Sequence, residues 1–129
     1  MKFALVLVIL LGLAANIATA NLMITEIYPN PAIAENGGEA VEIYNPGSTQ
    51  YVVGNLVIET KNSAADATLP TGTIIPSKSF FLITDLNWIQ KKDNTSWPNA
   101  DYEESMTLGN IDDFVALLEN GTALDTVGW

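Results

Sequence analysis

The sequence predicts an all-β protein in which two sheets pack face to face. Short stretches rich in β-branched and aromatic residues recur about every ten residues, and turn signals such as Asn45-Pro46-Gly47 and Asn120-Gly121 separate them. After residue 20, no apolar pattern follows the 3.6-residue period of a helix. Seven to nine mostly antiparallel strands over residues 21–129 match the size of an immunoglobulin-like β-sandwich.

The best-defined strand is residues 40–44. Val41 and Ile43 face one side of this strand, and Glu42 and Tyr44 face the other, because side chains alternate along a strand. The other expected strands cover residues 22–28, 50–53, 56–59, 73–75, 80–84, 104–108, 114–118 and 123–127. The expected core includes Ile24, Val41, Ile43, Leu82, Val115 and Leu117.

Three other stretches have a predicted structure. Residues 80–84 are apolar on both faces, which predicts a central strand that is covered on both sides. Residues 61–66 are expected to form a polar loop, and residues 36–38 the flexible tip of another loop. Residues 85–102 form the longest stretch without a clear strand pattern, so we expect them to be irregular.

The first twenty residues have the layout of a secretory signal peptide. Lys2 provides a positive start, residues 3–15 form an unbroken apolar run, and Ala18-Thr19-Ala20 is a small-residue cleavage site. The run is shorter than the roughly 20 residues of a membrane-spanning helix. We therefore expect cleavage between Ala20 and Asn21, a secreted or cell-envelope location, and no membrane association afterwards. The alternative is an uncleaved membrane anchor.

Composition excludes several classes of function. Cys, His and Arg are absent, which excludes disulfides and thiolate metal sites and removes the usual general base and the commonest zinc ligand. The formal charge is −10, and without Lys2 four lysines face fifteen acids, a charge of −11. Such a surface repels phosphates and anionic lipid. The sequence predicts no cofactor and no nucleic-acid partner, and the simplest interpretation is a solvated acidic surface.

The order of motifs in this chain resembles the lamin tail domain. The motifs are Met23–Ile27 with Asn30-Pro31, Glu39–Gly47, Leu69–Pro76 before Phe81–Ile83, Asp113–Leu118 with Asn120-Gly121, and Leu124–Trp129. The resemblance implies an immunoglobulin-like β-sandwich that acts as an interaction module, in prokaryotes commonly in secreted or surface proteins. The chain departs from the family pattern at Gly54-Asn55-Leu56, where a Gly-Trp often stands. We expect a non-enzymatic binding or surface-association module whose protein or cell-surface partner is unknown.

Aromatic residues of the 85–102 segment are the candidate contact residues. Trp88, Trp97 and Tyr102 suit either protein contacts or stacking on sugar rings. If the rings are exposed and coplanar, the chain is a carbohydrate-binding module with a glycan partner. If they are buried, they cover the edge of the sandwich as part of its core.

Glu26 and Glu42 are the candidate carboxylate pair. Two carboxylates about 5–10 Å apart in a cleft are the arrangement of a glycosidase, so a minimal hydrolase is the third possible function. We favour a structural role, in which each Glu accepts hydrogen bonds from the backbone or pairs with a lysine. No catalytic residue is predicted.

Two further motifs concern ions and modification. Asn110, Asp112 and Asp113, with Asp85, offer oxygen ligands for Ca²⁺, but their spacing matches no calcium-loop signature, so no metal site is predicted. Asn94-Thr95-Ser96 and Asn120-Gly121-Thr122 match the N-glycosylation pattern. Glycosylation at Asn94 or Asn120 depends on the host.

Overall fold

Two four-stranded sheets form the fold in a computed structural model that describes residues 21–129. The strands are β1 (Met23–Tyr28), β2 (Ala40–Tyr44), β3 (Tyr51–Val52), β4 (Leu56–Thr60), β5 (Ser63–Leu69), β6 (Ile74–Ile75), β7 (Phe80–Thr84), β8 (Tyr102–Glu103), β9 (Phe114–Glu119) and β10 (Thr122–Gly128). Within this range the one helix is α1 (Trp88–Lys91). The predicted signal peptide lies outside the described residues.

The topology is that of a β-sandwich. The first sheet has the strand order β1-β2-β7-β8 and the second β10-β9-β4-β5, while β3 and β6 form a separate ribbon. All pairs are antiparallel except β7 with β8. The predicted sandwich of mostly antiparallel strands is confirmed. It has ten strands because β5 and β8 form where no strand was expected, while the strand expected over residues 104–108 is absent.

The core lies between the two sheets and is built by alternating side chains. Val41, Ile43, Val115 and Leu117 are fully buried, as predicted, and Ile24 packs against this core from β1. Leu82 was wrongly placed in the core. On β7 the inward residues are Phe81 and Ile83, whereas Leu82 is half-buried on the outer face and Phe80 is 58% exposed. Both faces of β7 carry large apolar side chains, so their pattern alone does not identify the covered face.

A β-bulge in β1 sets the positions of its side chains. Ile24 and Ile27 both pack against the core although they are three residues apart, and the register shifts between Ile24 and Glu26. A bulge inserts one extra residue and so changes which face the following side chains occupy. As a result, Glu26 lies directly opposite Glu42 of β2.

The polar loop predicted over residues 61–66 is wrong. β5 begins at Ser63 and pairs with β4, and its Ala67 and Leu69 are buried in the core. The prediction failed because alanines and polar residues at the start of β5 give no alternating signal.

The strand predicted over residues 104–108 is also wrong. The ladder with β7 ends at Glu103, after which Met106 and Leu108 are buried against the core. Two carboxylates bond this segment to β5: Thr68 N–H donates to Glu104 at 2.8 Å, and Thr107 N–H donates to Asp66 at 2.9 Å. Side-chain bonds take the place of a strand ladder here.

At the loop tip predicted over residues 36–38, two of the three residues are packed against the rest of the fold. Gly37 and Gly38 are buried, and Gly37 has a φ of 98°. A Cβ atom on Gly37 would lie 2.5 Å from the Leu86 carbonyl oxygen, so only glycine fits this left-handed, crowded position. At Gly54-Asn55-Leu56, where the chain departs from the family pattern, Leu56 is fully buried and occupies the core.

Candidate functional site

A recess on the outer face of the first sheet is the candidate site. Its lining residues are Glu26, Tyr28, Ala40, Glu42, Leu82, Trp88, Trp97 and Pro98. Strands β1, β2 and β7 form its floor, and the segment 85–101 forms its wall. Its volume is about 110 Å³, below the roughly 300–1,000 Å³ of pockets that enclose small-molecule ligands. The recess therefore suits a single side chain better than a whole ligand.

Two stacked indoles form the wall of the recess. Trp88 begins α1 after Asn87, which has a left-handed φ of 68°, and its side chain is buried. Its ring lies parallel to that of Trp97, with centroids 5.9 Å apart and planes 15° apart. The Trp88 indole N–H donates to the Pro98 carbonyl at 2.9 Å. Trp88 is buried and Trp97 is half-buried, so of the two indoles only Trp97 offers a surface to a partner.

Hydrogen bonds from a lysine hold the Trp97 loop in place. Lys92 is buried, and its ammonium donates to the carbonyl of Trp97 at 2.5 Å and to that of Pro98 at 3.4 Å. The rings of Tyr28 and Trp97 also pack edge to face, with centroids 5.1 Å apart and planes 83° apart. The wall is thus fixed to β1 and to its own loop.

Asp93 joins the same wall to the loop after β1. It accepts a hydrogen bond from the Tyr28 hydroxyl and bonds from the N–H groups of Ala32 at 2.6 Å and Ile33 at 2.7 Å. The Tyr28 hydroxyl bond and these backbone bonds lower the pKa of Asp93. This carboxylate therefore remains ionised and holds two loops together.

Glu26 and Glu42 form the acidic part of the recess. They are direct cross-strand partners, so both side chains project from the same face of the sheet. Glu42 accepts a bond from the Thr25 hydroxyl at 2.8 Å, and Glu26 accepts none from residues 21–129. Among these residues the one salt bridge joins Lys61 and Asp112. Among the described residues neither glutamate accepts a backbone bond or pairs with a lysine, so the expected structural role is wrong for that part of the chain.

Most other acids in the chain accept hydrogen bonds from the backbone. Ten of the fifteen acidic residues bond at least one backbone N–H, and they are Glu39, Asp66, Asp85, Asp93, Asp101, Glu103, Glu104, Asp113, Glu119 and Asp125. Glu26 and Glu42 differ from this majority.

An apolar row borders the recess on the same face. Met23, Tyr44 and Phe80 are register partners on three neighbouring strands, and Met23 and Phe80 are 48% and 58% exposed. The Tyr44 and Phe80 rings lie 4.8 Å apart and pack at 40°. Tyr44 follows Glu42 by two residues and Phe80 precedes Leu82 by two, so the row adjoins the recess.

The comparison with known families supports the resemblance seen in the sequence. The model of the Lamin Tail Domain family matches residues 15–129. The chain belongs to the lamin tail domain family. The family fold is immunoglobulin-like and generally non-catalytic, which indicates a binding or interaction module. A comparison with curated proteins gives no match. Within residues 21–129 no helix is long and apolar enough to cross a membrane.

In this lamin tail domain the three predicted contact aromatics do not form one exposed aromatic surface. Trp88 and Trp97 share the recess, but each uses one face against the other, so they do not present two coplanar exposed rings. Tyr102 packs against the core, and its hydroxyl donates to Glu104 at 3.1 Å. Burial and this bond raise the pKa of Tyr102. Tyr28 was missed, although its place two residues after Glu26 puts both on one face.

The acidic turns use their carboxylates for backbone contacts. Asp113 accepts N–H bonds from Lys61 at 2.9 Å, Phe114 at 2.7 Å and Gly109 at 2.6 Å. Burial alone would raise the pKa of Asp113, but the three bonds together lower it. In the described part of the chain, no three His, Cys, Asp or Glu side chains are grouped as a metal site would require.

The carboxylate of Asp85 likewise accepts backbone N–H bonds, from the neighbouring loops. Its two carboxylate oxygens accept N–H bonds from Gly37 at 2.6 Å, Leu86 at 2.7 Å and Met106 at 3.2 Å. Asp85 is buried, and it connects three segments that are distant in sequence.

The two glycosylation motifs lie on exposed turns. The Asn94 side-chain oxygen accepts bonds from the Ser96 N–H at 2.9 Å and hydroxyl at 2.7 Å, which orders its own turn. Asn120 and Gly121 have φ angles of 50° and 78°, in agreement with the predicted type I′ hairpin between β9 and β10. Both asparagines are exposed.

Proposed function

We propose that this lamin tail domain is a secreted, non-enzymatic binding or surface-association module that contacts a protein through the outer face of its first sheet. The observation that carries the proposal is the apolar row Met23, Tyr44 and Phe80 beside the recess, in which Met23 and Phe80 are exposed and Tyr44 is half-buried. Exposed aromatic clusters that border a pocket are typical of protein interaction sites. The predicted signal peptide supports a secreted location.

A carbohydrate-binding role receives less support from the site. Sugar recognition by Trp88 and Trp97 would need two open ring faces, and Trp88 is buried behind Trp97. A hydrolase is also less favoured. A general acid needs a carboxyl group shielded from water, and Glu26 is exposed on the sheet surface.

A nucleic-acid partner is disfavoured by the position of the lysines. Lys91 and Lys92 are the only adjacent basic pair in the chain, and Lys92 is buried with its ammonium bonded to loop carbonyls. Phosphate contacts need a cluster of available Lys or Arg side chains. We therefore expect no shift of duplex DNA at micromolar protein and moderate salt.

Site-specific photo-crosslinking tests the proposed interface. A photo-reactive phenylalanine replaces Phe80, and a control replaces Thr126, which is exposed on the second sheet. Each protein is incubated with the surface fraction of the producing cells. We expect a discrete adduct from position 80 alone. Identical adducts from both positions, or no adduct from position 80, would contradict the proposal.

The secreted location has a separate test. The intact mass of the protein recovered outside the cell should correspond to a chain that begins at Asn21. A chain that retains residues 1–20 and sediments with membranes would support the anchor interpretation instead.

A further inference from the structure

We propose that the Glu26–Glu42 pair receives a basic side chain, lysine or arginine, which a partner protein inserts into the recess. The inference rests on the proposed function and adds the chemistry of the partner.

The charge of this pair is not neutralised within residues 21–129. Like charges directly opposite each other on neighbouring strands destabilise a sheet. Lys61 pairs with Asp112, Lys92 bonds to loop carbonyls, and Lys78 donates to the Pro46 carbonyl. None of the four lysines in residues 21–129, Lys91 included, forms a salt bridge with either glutamate. The fold therefore retains two opposed carboxylates that a cation from outside would stabilise.

The surroundings of the pair fit a long basic side chain. Trp97 and Tyr28 line the same recess, and aromatic faces attract lysine and arginine cations. Leu82 offers an apolar surface for the aliphatic stem, which such side chains bury while the charged end reaches polar groups. The volume of about 110 Å³ limits the occupant to one side chain.

The neighbouring apolar row sets a second requirement for the partner protein. Met23, Tyr44 and Phe80 lie beside the recess, so a matching partner carries apolar residues next to its basic one. An aromatic contact that becomes buried on binding, next to a charged anchor, is typical of interaction hot spots.

The occupant is a different protein rather than a second copy of this chain. The chain has no Arg and carries a formal charge of −10, so two copies repel each other. A basic partner is attracted by the same field, and the charge pair fixes its position on the sheet.

Peptide titration followed by NMR tests the inference. The probes are acetylated and amidated tripeptides with leucine at both ends and arginine, lysine or glutamine in the centre. We expect the arginine and lysine peptides to shift the amides of Glu26, Glu42 and Leu82 and the indole of Trp97. The glutamine peptide should bind about tenfold more weakly, a difference of about 1.4 kcal/mol.

A charge-matched pair of variants identifies the receptor. The double variant E26Q/E42Q should lose about tenfold in affinity for the arginine peptide. The control E35Q/E59Q removes the same charge elsewhere, and its affinity should match that of the unmodified protein. Gln is nearly isosteric with Glu, and both doubles should give dispersed, folded spectra.

Three results would overturn the inference. They are an equal response to the arginine and glutamine peptides, an equal loss in both double variants, and no shift at these residues with any peptide at millimolar concentration. A charge-independent response centred on Met23, Tyr44 and Phe80 would overturn the inference and leave the proposed interface standing. The crosslinking result at position 80 decides the proposed interface independently.

Discussion

The acids at the loops and the acids on the outer sheet have the same chemistry and opposite surroundings. Asp85 and Asp113 are buried, and each accepts three backbone N–H bonds. Glu26 and Glu42 oppose each other on open strands and accept no backbone N–H from the described residues. The difference shows that the high acidity of the chain has more than one origin.

The first origin is structural. Loops and sheet edges leave backbone N–H groups without partners, and a buried unpaired donor costs about 1–3 kcal/mol. Carboxylates satisfy several donors at once, so an all-β chain with long connections benefits from many of them. The second origin is the cross-strand pair, which satisfies no backbone donor and is available to a partner. A net charge alone does not separate the two.

The largest expected effect is at Asp113. Substitution Asp113→Ala leaves three backbone donors, from Lys61, Gly109 and Phe114, without their acceptor. We expect the free energy of unfolding to fall by about 3 kcal/mol or more, since each lost charge-assisted bond contributes about 1.5–3 kcal/mol. Urea unfolding monitored by circular dichroism measures this change.

The adjacent residue is the matched control. Asp112 is exposed, and its carboxylate pairs with Lys61 at 3.0 Å on the surface. Asp112→Asn keeps a residue that tolerates the left-handed φ of 53° at this position, and it should change stability by less than about 1 kcal/mol, as loss of an exposed ion pair does. Equal losses from the two substitutions would show that the carboxylate of Asp113 does not hold the loop.

An intermediate effect concerns pH and Glu39. Burial raises the pKa of Glu39 to about 7, although an N–H bond from Leu108 opposes this shift and the charge of Asp85 adds to it. The folded state therefore retains this proton to higher pH than the unfolded state. The stabilisation is complete below the ordinary pKa of a Glu and is lost as pH rises through about 7.

Denaturation at a series of pH values checks this expectation. Between about pH 5 and pH 8 the free energy of unfolding should fall by about 1–2 kcal/mol, less than the full pKa shift implies because water partly screens the charge. Glu39→Gln should flatten this dependence, because Gln still accepts the Leu108 N–H and does not titrate. Glu59→Gln, the control, should leave the slope unchanged. If the pH dependence of the free energy of unfolding persists in Glu39→Gln, another titrating group causes it.

The smallest expected effect is a gain at the outer sheet. Glu26→Gln removes the repulsion between directly opposed carboxylates and should raise the free energy of unfolding by about 0.2–1 kcal/mol. Glu59→Gln removes one charge from the second sheet, so it measures the effect on stability of the lower net charge alone. A loss of stability in Glu26→Gln alone would indicate that Glu26 has a structural contact.

Much of the fold was predictable because its signals are local. The alternation in residues 40–44 and the Asn120-Gly121 turn each determine one element, and both are confirmed. The β5 strand was not predictable, because alanines and polar residues at its start give no alternation. The packing of Gly37 depends on Leu86 and Lys91, which are distant in sequence.

The site was predictable only in fragments. The sequence indicated Glu26 with Glu42 and Trp88 with Trp97 as separate candidates, and the structure places all four in one recess. Their proximity depends on the bulge in β1 and on how the 85–101 segment folds over the sheet. The spacing of Ile24 and Ile27 is the one local signal of that bulge.

Two charge-matched double variants test the central difference most directly. E26Q/E42Q and D85N/D113N each remove two charges, and urea unfolding at neutral pH compares them. In Asp85 and Asp113 both carboxylate oxygens accept N–H bonds, so an Asn there must turn its own NH₂ toward a donor. We expect D85N/D113N to lose at least about 3 kcal/mol and E26Q/E42Q to match or exceed the original stability. Equal losses in the two variants would contradict the account.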